Sequence, residues 1–232
     1  KAVDWGHLDA HPIRNVKRTK TDAQATPRFL SREEEGRLRQ VLADRDARIR
    51  EGRESANEWR RARGYPLLPA VDGDHLTPMV LLALATGLRR GELFNLRWED
   101  VDFAGASVAV RGGGAKSGQT RHVPLNREAV DALRRWQAQT GAAAGLVFPG
   151  RDGRRLDNIR SAWEGVVESA KIEAFRFHDL RHTFASRLVM AGVDLNTVRE
   201  LLGHSDYKMT LRYAHLAPEH KAAAVAKLDS EH

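Results

Sequence analysis

The chain has 232 residues, 41% of them hydrophobic, which suffices for a core and is too many for a disordered chain. Lys and Arg outnumber Asp and Glu by 38 to 31, a formal charge of +7 that suits a polyanionic partner such as nucleic acid. Cysteine is absent, which excludes a disulfide framework, a thiolate metal site and a cysteine nucleophile, and the longest apolar run, MVLLALA, is too short to span a bilayer.

Residues 1–27 read as the end of one domain followed by a linker. AVDWGHLDAHP has the look of a closing helix that Pro12 breaks, and IRNVKRTKTDAQATP is polar, basic and without apolar period. The chain opens on Lys1, as a piece of a longer protein would, and no signal peptide is visible. SREEEGRLRQVL then predicts a helix with Ser31 as N-cap and Glu34 at capping-box spacing; Leu38, Val41 and Leu42 form its buried stripe. Residues 44–65 are densely and oppositely charged, which favours a solvated helix and loop laced with ion pairs. The alternative for Arg60, Arg61 and Arg63 is a surface that touches phosphates.

From Leu76 the apolar density rises, and LTPMVLLALATGLRRGELFNLRWEDVDF predicts two helices joined at Thr86-Gly87. Between Asp102 and Pro124 the period drops to two. SVAVR and TRHVPL are candidate strands around the glycine turn GGGAKSG, forming a β-hairpin or part of a small antiparallel sheet. NREAVDALRRWQAQTG is an amphipathic helix, LVFPGRDGRRLD a short strand and turn, and NIRSAWEGVVESAKI another helix. The rest is nearly all helical, with Asp194 as an N-cap and Gly203 as a helix stop. The class is α+β, mostly helical with one small sheet, without internal repeats.

Eight side chains stand out. Arg89 follows Thr-Gly at a helix start, where its planar fork can face an anion, and Glu92 three residues on can orient it. The ordinary reading is a surface ion pair. Lys116 lies in the glycine turn, commonly a solvated position, from which it could protonate a leaving oxygen. A phosphate-binding P-loop is excluded, because Val110 and Ala115 replace its glycines and a strand follows. His178 and Arg181 share a face at a helix start and can bracket one phosphate. His178 and His182 have the spacing of a zinc helix, but Asp179 stands where a zinc protease has Glu and no third ligand appears. His204, at a helix end, and Tyr213, nine residues on, would each ordinarily be structural. As a nucleophile Tyr213 must lose its proton, which Arg89, Arg181 and Lys116 could favour electrostatically.

In kind, order and context, Arg89, Lys116, His178, Arg181, His204 and Tyr213 resemble the tyrosine recombinase (phage integrase) family, over residues 28–228. The resemblance implies a core-binding domain ending within residues 1–27, and a catalytic domain of the family fold over 28–232. It implies that Tyr213 attacks a scissile DNA phosphate to give a 3′-phosphotyrosyl intermediate and a free 5′-hydroxyl. Arg89 and Arg181 would stabilise the phosphate oxygens, Lys116 would protonate the leaving oxygen, and His178 would accept the tyrosine proton or bond the phosphate. His204 would hold a phosphate oxygen, with Glu92 and His182 supporting. No metal, ATP or other cofactor is implied. The implied partners are double-stranded DNA at attachment sites, three further copies in a synapsed homotetramer, and accessory DNA-bending proteins, with no membrane. The implied location is the cytoplasm of a bacterium, at the nucleoid. The segment PEHKAAAVAKL would be a short amphipathic helix packed on a neighbouring protomer or on its own domain. The charged stretch at 44–70, longer than the family usually has, and the linker favour a mobile-element integrase. The competing readings are a type IB topoisomerase and a DNA-binding regulator that never cuts.

Overall fold

The structure, a computed structural model, describes residues 3–12, 14–16, 26–112, 120–150 and 152–217. Lys116 and the segment from Pro218 onward lie outside the described residues. The expected helix end before Pro12 is not there: residues 3–12 form turns and bends, and Trp5 and Leu8 face solvent.

The first helix, α1 (Arg32–Arg61), opens on the expected capping box: Ser31 Oγ accepts from Glu34 N at 3.1 Å, and Glu34 Oε2 accepts from Ser31 N at 2.9 Å. It runs unbroken through the charged stretch, and the chain then folds back along it. Arg50, Arg53, Asn57 and Arg60 lie on one face and donate to the carbonyls of Asp72, Pro69, Leu68 and Pro66 in turn, at 2.6–3.0 Å. The expected solvated helix is there, and beside the Arg45–Asp74 ion pair several of its charges bond the returning backbone. Arg63 lies over the Trp59 ring at 4.3 Å.

Helix α2 (Leu76–Thr86) is apolar all round and packs against α4 (Arg127–Thr140) and α6 (Asp179–Met190), which makes it the centre of the main core. It ends on Gly87 in the left-handed region (φ 64°), and α3 (Arg90–Asn95) begins three residues later. The sheet is antiparallel in the order β1 (Val101–Asp102), β2 (Ser107–Val110), β3 (Arg121–Pro124). Val108 pairs with Val101 on one side and Val123 on the other, so the alternating apolar residues face inward together. LVFPGRDGRRLD forms isolated bridges, Arg97 to Leu146 and Pro149 to Arg155, where a strand was expected.

The remaining helices are α5 (Arg160–Ser169), α7 (Leu195–Leu202) and α8 (Lys208–Leu211). Helices α6 and α7 enclose a second cluster of Ala185, Val189, Val198 and Leu202, into which the Tyr213 ring is packed. Gly87 joins the two clusters. A Cβ there would meet Phe184 Cδ1 at 2.5 Å and Leu202 Cδ2 at 2.9 Å, whereas Gly141, with the same positive φ, has open space. Gly87→Ala is therefore expected to cost about 2–3 kcal/mol, against about 1 for Gly141→Ala, by the sum of backbone strain and overpacking. Paired thermal melts of the two variants check this; equal losses would contradict the packing argument.

Candidate active site

The site is assembled on the C-terminal end of α7. A helix leaves its last carbonyls unpaired and carries partial negative charge there. Gly203, at φ 63°, turns the chain sharply and leaves these oxygens accessible. Three arginines from distant parts of the sequence meet them. Arg121 Nε donates to Leu201 O at 3.1 Å, Arg181 Nη2 to Leu202 O at 2.6 Å, and Arg89 Nη2 to Gly203 O at 3.4 Å. Arg181 also donates through Nη1 to Gly87 O at 2.8 Å, so one buried guanidinium ties the α2 turn to the end of α7.

Glu92 is the carboxylate that holds this cluster. Its oxygens accept from Arg89 N at 2.8 Å and Arg89 Nη1 at 3.0 Å, and from both Arg121 Nη atoms at 3.0 and 2.8 Å. Burial pushes Glu92 up, but the Arg121 hydrogen bonds and charge outweigh it and hold the carboxyl below its ordinary range. Glu92→Gln keeps the shape but removes the charge and turns an amide N–H₂ toward a guanidinium. One charged hydrogen bond is worth about 1.5–3 kcal/mol, so a loss of stability of about that size is expected, with the fold retained. Thermal melts of the variant beside the unaltered protein check it; an unchanged midpoint would show that the cluster needs no carboxylate.

Arg121 was not singled out in the sequence, although a signal existed. It shares the inward face of its strand with Val123, and an inward-facing charge in an alternating strand calls for a buried partner.

The histidines have separate environments. His178 caps the start of α6 and is exposed, and its ring stands edge-on to His182 at 5.2 Å. The buried Asp179 carboxylate accepts from Arg176 N at 2.7 Å and Arg176 Nη2 at 3.1 Å, which fixes the turn carrying His178. His182 is buried, with Nδ1 2.6 Å from Tyr213 Oη. His204 is buried and bonds Thr210 Oγ1 through Nδ1 at 2.9 Å. Burial, and then the neighbouring cations, hold both as neutral imidazoles: His182 is pushed down to about 4 by burial and His178, His204 to about 3 by burial and Arg181. Burial and Arg89 push Arg181 down to about 9, which leaves it charged at neutral pH.

Tyr213 is 1% exposed. The cations expected to favour its phenolate do not prevail: burial raises the phenol above its ordinary value, against Arg181 and Arg212, which pull it down. Beside the cluster lies a cleft of about 620 Å³ lined by Arg89, Arg90, Arg160, Arg176 and His178, with an aromatic floor of Trp163, Phe175 and Phe177. Its basic wall and the Arg89–Arg181 pair are suited to a phosphodiester. Of the eight residues expected from the sequence, Arg89, Glu92, Arg181 and His204 gather at the end of α7; His178, His182 and Tyr213 form a contiguous chain beside it; Lys116 lies outside the described residues.

Residues 71–220 match the family model described as the phage integrase family. The chain is 35% identical to the tyrosine recombinase XerC of Azotobacter vinelandii, over 94% of this chain and 74% of that protein. It is 36% identical to the integrase of Salmonella phage P22, over 67% of this chain, and the match spans only 43% of that relative's length. Among solved structures, the catalytic domain of bacteriophage HP1 integrase is similar, with 28% identity and a TM-score of 0.57, covering 85% of this chain and 93% of that one.

Proposed function

Because the chain belongs to the phage integrase family, we propose that it is the catalytic part of a site-specific DNA recombinase of a mobile element. Residues 1–27 are then the end of a core-binding domain and its linker, and residues 28–232 the catalytic domain. The observation that carries this reading is the convergence of Arg89, Arg181 and His204 on one helix end, with Tyr213 packed behind it. Binding alone needs no such buried phenol.

The scissile phosphate of double-stranded DNA occupies the cleft beside Arg89. Arg89 and Arg181 neutralise its non-bridging oxygens, and more strongly as the fifth ligand adds charge in the transition state. Both guanidiniums are pre-positioned by carbonyl oxygens, so little reorganisation is required when the phosphate arrives. His204, neutral and held by Thr210 through Nδ1, presents its other nitrogen to a phosphate oxygen. His178, exposed at the α6 start, bonds the phosphate from the cleft side. Tyr213 attacks phosphorus, Lys116 protonates the departing 5′-oxygen, and a 3′-phosphotyrosyl ester conserves the bond for strand exchange. Four copies act on two synapsed attachment sites in the bacterial cytoplasm, with DNA-bending proteins assisting.

The test is covalent trapping. The full-length parent protein is incubated without metal on nicked duplexes from DNA flanking its own gene, then run on a denaturing gel. An adduct that survives SDS supports the reading, and exchange between two duplexes separates recombinase from topoisomerase. Binding with no adduct on any flanking DNA would sink it.

A further inference from the structure

Within the proposed cleavage reaction, on which this inference rests, we infer that His182 is the base that takes the phenolic proton of Tyr213. A base for this step must touch the phenol oxygen, be uncharged, and have a nitrogen lone pair directed at the O–H. Among the described residues His182 is the imidazole that meets Tyr213 Oη, through Nδ1 at 2.6 Å. The geometry admits donation by the phenol O–H to Nδ1, with the ring's own proton on Nε2. His178 has no such contact; its ring stands against His182, one helical turn earlier, with its other side in the cleft.

The burial of the pair keeps water from competing for the phenol proton. It also keeps His182 neutral, because burial and the charges around it disfavour imidazolium. Those groups come from every element packed on it: His178, Asp179 and Arg181 from α6, His204 from the end of α7, and Arg212 and Tyr213 from the C-terminal turn. A base held so far down would be weak in the empty site. The substrate corrects this: a phosphodiester anion beside Arg89 and Arg181 cancels part of the positive field on His182 and raises its basicity when a base is required. The base is thus switched on by the anion it serves.

The step balances. The Tyr213 O–H bond breaks, its proton passes to His182 Nδ1 to form imidazolium, and the electron pair on Oη makes the new O–P bond. The bond from phosphorus to the 5′-oxygen breaks with its electron pair on oxygen, which takes a proton from Lys116. In religation the incoming 5′-hydroxyl returns its proton to Lys116, and His182 returns its proton to Oη.

The test compares the full-length protein with His182→Asn. Asn Oδ1 falls near the place of Nδ1 and still accepts the hydrogen bond, but cannot take the proton. The substrate is a suicide duplex with sulfur in place of the 5′-bridging oxygen, a leaving group that needs no acid, so titration of Lys116 drops out. Adduct formation by H182N is expected to fall by about 100-fold or more. The wild-type rate should be nearly level from pH 6 to 9, while that of H182N climbs about tenfold per unit, as the phenolate must come from solvent. Placing 3,5-difluorotyrosine at position 213, a more acidic phenol, should return H182N to within a few-fold of its His182 counterpart. A merely structural role for His182 would not produce that rescue. His182→Gln replaces H182N if the latter melts early. Cleavage by H182N within about threefold of wild type, with the same pH profile, would overturn the proposal, as would a defect that the fluorinated phenol fails to relieve. If wild type itself forms no adduct, the recombinase reading fails first and this one with it.

Discussion

Tyr213→Phe is expected to abolish the covalent protein–DNA adduct on every substrate while leaving DNA binding intact. The change deletes one oxygen and keeps the ring. The ring packs with Ala185, Val189, Val198 and Leu202, and that burial, worth about 2–3 kcal/mol for an aromatic of this kind, is preserved. The lost group is the phenol oxygen at 2.6 Å from His182 Nδ1. Leaving that buried nitrogen without its partner costs about 1–2 kcal/mol, a fall in melting temperature of about 2–8 °C for a domain of this size. Activity should therefore vanish while the fold, somewhat less stable, persists. Thr210, the hydroxyl nearest in the sequence, does not substitute: it is buried and committed to His204 Nδ1 at 2.9 Å. Adduct formed by the Phe variant, mapped by peptide sequencing to another residue, would displace Tyr213 as nucleophile.

Arg181→Lys is expected to be nearly as damaging to catalysis and far more damaging to the fold. Arg181 is 3% exposed and divides its fork between Gly87 O at 2.8 Å and Leu202 O at 2.6 Å. These carbonyls end α2 and α7, and neither can be satisfied within its own helix. A lysine ammonium is a point donor on a flexible stem; it reaches one of them and cannot also present a planar edge to a phosphate. The abandoned carbonyl costs about 1–3 kcal/mol. Loss of one bidentate contact to the developing phosphorane lowers cleavage by about 10²–10³-fold, the scale of a missing oxyanion donor. The two effects separate experimentally. Denaturant unfolding reads the first, and single-turnover cleavage at a temperature where the variant is fully folded reads the second. Normal cleavage by a folded R181K would show that the guanidinium here is only a structural tie.

Glu92 links the two arginine roles. Its bonds to Arg89 and Arg121 let three guanidiniums crowd one helix end despite their mutual repulsion. What remains is a net positive site with geometry fixed before the phosphate arrives, the condition under which electrostatic stabilisation acts at low reorganisation cost.

The elements that local chemistry controls were readable from the sequence. The Ser31 capping box, the Asp194 cap, the break at Gly87 and the alternation in β2 and β3 are each set by residues within a few positions of one another. The order and spacing of Arg89, His178, Arg181, His204 and Tyr213 were readable too, because motif residues are a property of the chain. What was not readable is long-range: the carbonyls at 66–72 that Arg50, Arg53 and Arg60 bond come from a fold-back that no local pattern announces.

By itself, then, the sequence determined the class of the protein, the helix ends that carry local caps and the order of its candidate reactive groups, since these follow from neighbouring residues and from side-chain chemistry. The tertiary structure decided which groups meet. Only folding brings Arg121, eighty residues away, to Leu201 O, buries Tyr213 against His182, and makes the end of α7 the place where three guanidiniums converge. The reason is physical: unpaired helix carbonyls and buried charges must find partners, and those partners are chosen by proximity in space.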